Sequence, residues 1–284
     1  MVFLVEPLKE GKHRLTFPFS QDVPQPTTGS FRTLICGATG TGKSTILVRL
    51  LQQYMLPYGK NSGVKTGRRF FSKIVLFSPN QKQYEANLDW GEHDWRYEDY
   101  EPKDMVKHYN RHVTRNKKRM KEHGPYVEPG YMLFVFDDVI TDVNMSDHFT
   151  RILVNGRKEG VSIIITSQKY AIAGSSTDRQ NFSHIVLTST STSELKLIAR
   201  YIQKREKTVE RLWHENIQDK YDFLYFRVMP KPVMISLGFN RQVLEGKPKS
   251  KLVGRKGKSR QADEQIEEED GMDAATEKLH DLTG

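Results

Sequence analysis

Residues 35–46 read ICGATGTGKSTI, and the interpretation of this stretch decides the fold. Gly37, Ala38, Thr39, Gly40, Thr41, Gly42, Lys43 and Ser44 satisfy G-x-x-x-x-G-K-[ST] at every fixed position. RTLIC before the loop reads as a buried strand, and TILVRLLQQYM after it reads as a helix. That strand–loop–helix setting is what the motif requires. Glycines let the backbone turn so that successive N–H groups point inward and cradle an anion. The following helix adds its positive N-terminal end. Lys43 would reach the β- and γ-phosphates, Ser44 would hold Mg²⁺ through its hydroxyl, and Thr45 continues the cradle. A chance Gly-rich turn would not also place Lys43 and Ser44. The stretch therefore indicates a nucleoside triphosphate, ATP, without saying what its hydrolysis drives.

The rest of the sequence limits the setting. The chain has 284 residues, enough for one large domain or two small ones and for a sizeable core. A net charge of +9 favours a polyanionic partner such as nucleic acid, with ordinary basic solubility as the alternative. The single cysteine, Cys36, excludes an internal disulfide and points to a reducing compartment. Its place before the loop suits a small core residue. The opening MVFLVEPLKEGKHR is broken by Glu6 and Pro7 too early for a signal peptide. No run approaches the roughly 20 apolar residues of a membrane span. The expectation is a soluble intracellular protein.

Along the chain, residues 1–30 form a lead-in, with TFPFS as a possible strand. Residues 31–242 form the ATPase domain, and 243–284 form a charged tail. SKIVLFSPN, YMLFVFDDVI, VSIIITSQ and HIVLTST read as further strands, and a helix is expected from Asp147 to Lys158. Ser191 and Glu194 have capping-box spacing. YDFLYFRV and KPVMISLGF read as an antiparallel pair. Strands apolar throughout imply a sheet covered on both faces. Their alternation with helices implies an α/β fold with a mostly parallel sheet. The fold class is thus a P-loop NTPase, RecA-like, with C-terminal antiparallel strands and a disordered tail. In such sheets ligands collect at the strand C-terminal ends, where the loop, Asp137-Asp138 and Gln168 all fall. Residues 81–129 read as an insertion, acidic and aromatic at first and then a basic helix ending at Gly124-Pro125. Lys107, Arg111, Arg115, Lys117, Lys118 and Arg119 offer either a phosphate-contacting surface or a solvated helix face. The tail turns from a basic to an acidic half and lacks core-forming residues.

Hydrolysis needs a metal, a positioned water and charge stabilisation. In FVFDDV, Asp137 would hold the Mg²⁺ shell and Asp138 would polarise the attacking water. Gln168, at a strand end, could sense the γ-phosphate. An arginine from a neighbouring subunit can complete such a site. Arg157 is the first candidate and Arg179 the second, each with a surface salt bridge as the competing role.

GATGTGKS, KIVLFSPN, LFVFDDV, NGRKEGVSIIITSQ and DRQNFSHIVL, in that order, resemble the FtsK/HerA superfamily. They are most similar to its viral branch, the packaging ATPases of large double-stranded DNA viruses, including the poxvirus type. The resemblance covers about residues 31–190. It implies a homo-oligomeric ring, hexamer or pentamer, that threads double-stranded DNA into a capsid. It also implies capsid proteins as partners and a place in the host cytoplasm, the viral factory or the virion. By the same resemblance, Lys43 and Ser44 bind phosphate and Mg²⁺, Asp137 binds the metal, Asp138 is the catalytic carboxylate and Gln168 the sensor. The superfamily often has Glu at the Asp138 position. Viral members tend to have Arg-His where this chain has Arg157-Lys158. A helicase or DNA-transfer ATPase, a nucleoside kinase and a nucleotide-switched scaffold are the competing functions. Replacing Lys43 with Ala should abolish phosphate release from ATP in a steady-state assay; turnover at the wild-type rate would contradict the loop assignment.

Overall fold

Each strand of the central sheet distributes its residues alternately to two apolar layers, and that alternation sets the architecture. The computed structural model describes residues 30–55, 57–58, 68–69, 71–124, 130–139, 147–170, 179–229, 231–239 and 241–242. The strands are β1 (Arg32–Cys36), β2 (Pro57–Tyr58), β3 (Arg68–Arg69), β4 (Lys73–Phe77), β5 (Trp95–Tyr97) and β6 (Met132–Phe136). They continue with β7 (Val161–Ser167), β8 (His184–Leu187), β9 (Leu224–Arg227), β10 (Met234–Leu237) and β11 (Arg241–Gln242). The helices are α1 (Lys43–Met55), α2 (Gln81–Asn87), α3 (Pro102–His123), α4 (Asp147–Asn155), α5 (Thr192–Ile202) and α6 (Glu206–Asn216).

Nine strands form one sheet in the order β11-β10-β9-β8-β1-β7-β6-β4-β5. From β8 to β5 every pairing is parallel. β9, β10 and β11 join antiparallel, as the sequence suggests for the pair across Pro230 to Pro232. β2 and β3 pair separately at the two ends of the Gly-rich stretch. In β6, Met132, Phe134 and Phe136 face one layer while Leu133 and Val135 face the other. The first layer receives α3, α4, α5 and α6; the second receives α1 and α2. A fully buried parallel sheet must be apolar on both faces, which is why these strands show no polar alternation. Cys36 is fully buried among them, and burial pushes its thiol well above the ordinary range.

Residues 81–124, within the segment expected as an insertion, contribute one strand and two helices to the domain. β5 extends the sheet beyond β4, and α3 sends Met105 into the core. Helix α3 ends at Gly124 with φ of +94°, a conformation for which glycine is suited. The helix expected to reach Lys158 stops at Asn155 and continues as a 3₁₀ turn, Gly156–Glu159. The Ser191–Glu194 capping box is present. TFPFS and the charged tail lie outside the described residues.

Two buried basic side chains, Arg32 and His184, tie down the edge of the sheet where the strands begin. The Arg32 guanidinium donates to the carbonyls of Phe31, Val161, Ile152 and Leu153, the last two in the final turn of α4. Helix carbonyls there carry partial negative charge. Burial, and then neighbouring Arg157, lower its pKa to about 9. His184 sits between Phe31 and Tyr225, with Nδ1 2.9 Å from Ser183 Oγ. Burial, then Arg227 and Arg157, lower its pKa to about 3. The folded chain therefore refuses a proton that the unfolded chain accepts near pH 6.5. Stability contributed by neutral His184 is present above pH 6.5 and is lost progressively as pH falls toward 3. Between pH 6.5 and 5 the loss amounts to about 2 kcal/mol at most. Urea unfolding from pH 7 to 5 should show that decline in wild type and a shallower one in His184→Gln; identical slopes would contradict it.

Candidate nucleotide-binding site

Because β1, β7 and β6 are parallel neighbours, their C-terminal ends share one edge of the sheet. β7 lies between the other two, so the loop strand and the acidic strand are about 10 Å apart, two strand spacings. Register aligns Cys36 with Ser167 and Phe136 with Ile165. Gly37 N–H donates to Ser167 O at 3.1 Å, and Asp138 N–H donates to Thr166 Oγ1 at 3.0 Å. Both halves of the site thus hang from consecutive residues of β7.

The loop is fixed on its other side by β8. A Cβ at position 37 would lie 2.0 Å from Thr188 Oγ1 and 2.8 Å from Ser189 N, so only glycine permits this approach. Thr41 Oγ1 is 2.8 Å from Ala38 O and 2.7 Å from Thr188 Oγ1. Gly42, with φ of +92°, makes the turn into α1. The buried Lys43 donates from Nζ to Gly37 O at 2.8 Å and to Ala38 O at 3.0 Å. An ammonium has three protons, which leaves one for a phosphate oxygen. Ala38, Thr39 and Gly40 are exposed, and Ser44 and Thr45 half-buried, so the cradle opens to solvent.

The two aspartates occupy different environments. Asp137 is 2% exposed. Its carboxylate accepts from Thr166 Oγ1 at 2.8 Å, Ser78 Oγ at 3.2 Å and the Tyr84 hydroxyl. Burial raises its pKa; the Tyr84, Thr166 and Ser78 hydroxyls pull it down and Asp138 pushes it up. Burial and the adjacent Asp137 hold the Tyr84 phenol far above its usual range, so it stays a donor. Asp138 is exposed, with φ of +55°, a left-handed conformation that Asp tolerates better than most residues. Gln168 is exposed immediately after β7, between the loop and the aspartates in strand order.

Ser78, Tyr84 and Thr166 are missed by sequence reasoning. Ser78 reads as part of the strand-ending Ser-Pro-Asn, Thr166 as one more strand residue, and Tyr84 falls in the segment taken for an insertion. Only the β4-β6-β7 order brings their hydroxyls to one carboxylate.

Arg157 is not brought to this cradle. It lies in the turn entering β7, whereas Gln168 leaves it, about 20 Å away along seven strand residues. It is half-buried, donates to Asn181 O and approaches Met229 Sδ. Burial lowers its pKa. Arg179 precedes β8 and sits over the Tyr170 ring at 5.9 Å.

The residues fit Mg²⁺. Among the described residues no group of three or more His, Cys, Asp and Glu could hold a metal ion. Mg²⁺ needs none, since one or two carboxylates with substrate phosphates and water suffice. Asp137, a carboxylate oriented by three hydroxyls, and Ser44 would hold it. Because the Tyr84 hydroxyl lowers the Asp137 pKa, Tyr84→Phe should move the acidic limb of the ATP-hydrolysis pH profile to higher pH. An unchanged limb with an equally lowered rate at all pH values would contradict this role.

Comparison with known proteins places the chain. No curated protein matches it. Among solved structures, it is similar to the genome packaging NTPase B204 of Sulfolobus turreted icosahedral virus 2. The complex with AMP is 13% identical, with a TM-score of 0.49 over 76% of this chain and 98% of that one. The complex with ATP-gammaS is 14% identical, with a TM-score of 0.47 over 72% and 96%. EccC of Thermomonospora curvata (ATPases 2 and 3) is 14% identical, with a TM-score of 0.41 over 60% of this chain and 31% of that one. The Poxvirus A32 protein family matches residues 25–213, a span holding the loop, both aspartates and Gln168. The chain belongs to the Poxvirus A32 protein family.

Proposed function

We infer that the chain is an ATPase that drives double-stranded DNA into a viral capsid. The observation that carries this reading is the suspension of the phosphate loop and the Asp137-Asp138 turn from adjacent residues of β7. The B204 structures that resemble it are of a genome packaging NTPase bound to AMP and to ATP-gammaS. In this reading the loop N–H groups and Lys43 bind the β- and γ-phosphates. Mg²⁺, held by Ser44 and Asp137, would supply charge neutralisation on the phosphates. Asp138, exposed to solvent, would accept a proton from the attacking water, and Gln168 would hold that water in line. Arg179 or Arg157 would serve a neighbouring subunit of a ring, hexamer or pentamer, docked on capsid proteins.

Helix α3 supplies a surface for the DNA. Lys107, Arg111 and Arg115 are exposed at four-residue spacing, about 6 Å apart along the helix. None of the three forms an ion pair with a described residue, whereas Lys118 lies 3.7 Å from Glu122. Beneath them His108 has its pKa lowered to about 4, by burial first and then by Lys73, Lys107 and Arg111. Cations that crowd one another without acidic partners favour a polyanion.

Duplex DNA should therefore stimulate ATP turnover. Combined replacement of Lys107, Arg111 and Arg115 by Glu should remove the stimulation while ATP binding is kept. It should also make the slope of log affinity against log salt shallower by about 3. Turnover indifferent to duplex DNA would contradict the motor reading, and strand displacement from a forked substrate would identify a helicase instead.

A further inference from the structure

The catalytic side of the cradle dictates where the rest of a nucleotide must go. If the γ-phosphate faces Asp138 and Gln168, it points toward β7 and β6. The phosphate chain then runs back through the loop, and the nucleoside emerges on the opposite flank, beside β8 and β9. At that flank Cys36 pairs with Leu187, and Leu187 pairs with Leu224, so the end of β1, the end of β8 and the beginning of β9 are level. Residues just before Leu224 therefore stand at the rim of the phosphate loop.

Tyr221 is there. The residue is 50% exposed, one of few with a large apolar side chain left open to solvent among the described residues. A Cβ placed on Gly42 would lie 3.4 Å from Tyr221 Cδ1, so the ring abuts the turn into α1. The segment carrying it is anchored: Asp222 accepts from Gln218 N–H at 3.0 Å and Asp219 N–H at 2.8 Å. The next residue, Phe223, is buried. Lys220 lies over the Tyr221 ring at 5.4 Å. At the other end of the loop, just past β8, Ser189 and Thr190 are half-buried, and Ser189 N lies close to Gly37. An aromatic side chain half open to solvent on a fixed turn, next to a phosphate cradle and a lysine, is suited to a flat heterocycle with a phosphate attached.

We propose that Tyr221 forms the nucleoside subsite of this cradle, its ring stacking on the base of the bound triphosphate. The inference rests on the phosphate-site reading above and adds the residue that distinguishes a nucleotide from a bare phosphate chain. Stacking accepts any base, so the subsite supplies affinity and leaves ATP and GTP nearly equal.

Calorimetric titration of the full chain with Mg²⁺-ATP and, separately, with Mg²⁺-tripolyphosphate tests it. Tyr221→Ala should weaken ATP about tenfold, within the range for loss of one aromatic–base stack, and leave tripolyphosphate unchanged. Tyr221→Phe, which keeps the ring, should bind ATP as wild type does. Unchanged ATP affinity in Tyr221→Ala, equal weakening of both ligands, or a Phe variant as weak as the Ala variant would each overturn the proposal. Lys43→Ala should lose both ligands. Wild-type chain that binds neither ligand would overturn the phosphate-site reading, and this subsite with it; tripolyphosphate bound as tightly as ATP would overturn the subsite alone.

Discussion

Thr166 is the joint on which the site depends. Its hydroxyl accepts the Asp138 N–H and donates to the Asp137 carboxylate, and the carbonyl of the next residue accepts the N–H of Gly37. A single strand thereby sets the distance between the phosphate cradle and the acidic turn. A hydrogen bond to a charged group contributes about 1.5–3 kcal/mol, and leaving a buried charged group short of a partner costs more. The position of β7 between β1 and β6 is therefore part of the chemistry as well as of the packing. Loop geometry alone would bind phosphate; in the proposed reading the interposed β7 sets the carboxylates that follow β6 at the far side of the γ-phosphate.

The pair Asp137-Asp138 shows how two identical side chains acquire different environments from their surroundings. Asp137 is buried, and three hydroxyls from the end of β4, from α2 and from β7 hold it in one orientation. Desolvation disfavours its charge, which in the proposed reading a bound cation would offset. Asp138 turns outward through a left-handed residue and keeps its carboxylate in solvent. A longer Glu at this position would reach farther from the same turn. The short side chain and the positive φ belong together, because Asp is among the few residues that adopt this conformation at low cost.

The sequence was most legible where one residue type has one physical use. The glycines and lysine of the loop announced their strand and helix, the continuous apolar runs announced a parallel sheet, and Ser191 with Glu194 announced a helix start. It was least legible where meaning depends on neighbours distant in the chain. β5 has three residues, none of them buried, so WRY is too short to mark an edge strand; pairing with β4 creates it. Tyr84 carries no local signal for its role, since it must first be carried to Asp137 by α2. Arg157 stood out as an arginine between a helix and a strand and is expected to serve a neighbouring subunit; the direction of β7, which puts it at the edge opposite this chain's own cradle, is not written in that local pattern. Strand direction follows from the whole topology, which a local motif does not contain.

The central claim is that a triphosphate lies with its magnesium between Lys43 and the Asp137-Asp138 turn. A crystal or electron-microscopy structure of the chain with Mg²⁺ and a non-hydrolysable ATP analogue addresses it most directly. The account predicts the γ-phosphate within hydrogen-bond distance of Lys43 Nζ, the metal at Ser44 and Asp137, and a water between the γ-phosphate and Asp138. Nucleotide bound away from the loop, or a γ-phosphate turned from β7 toward β8, would contradict it.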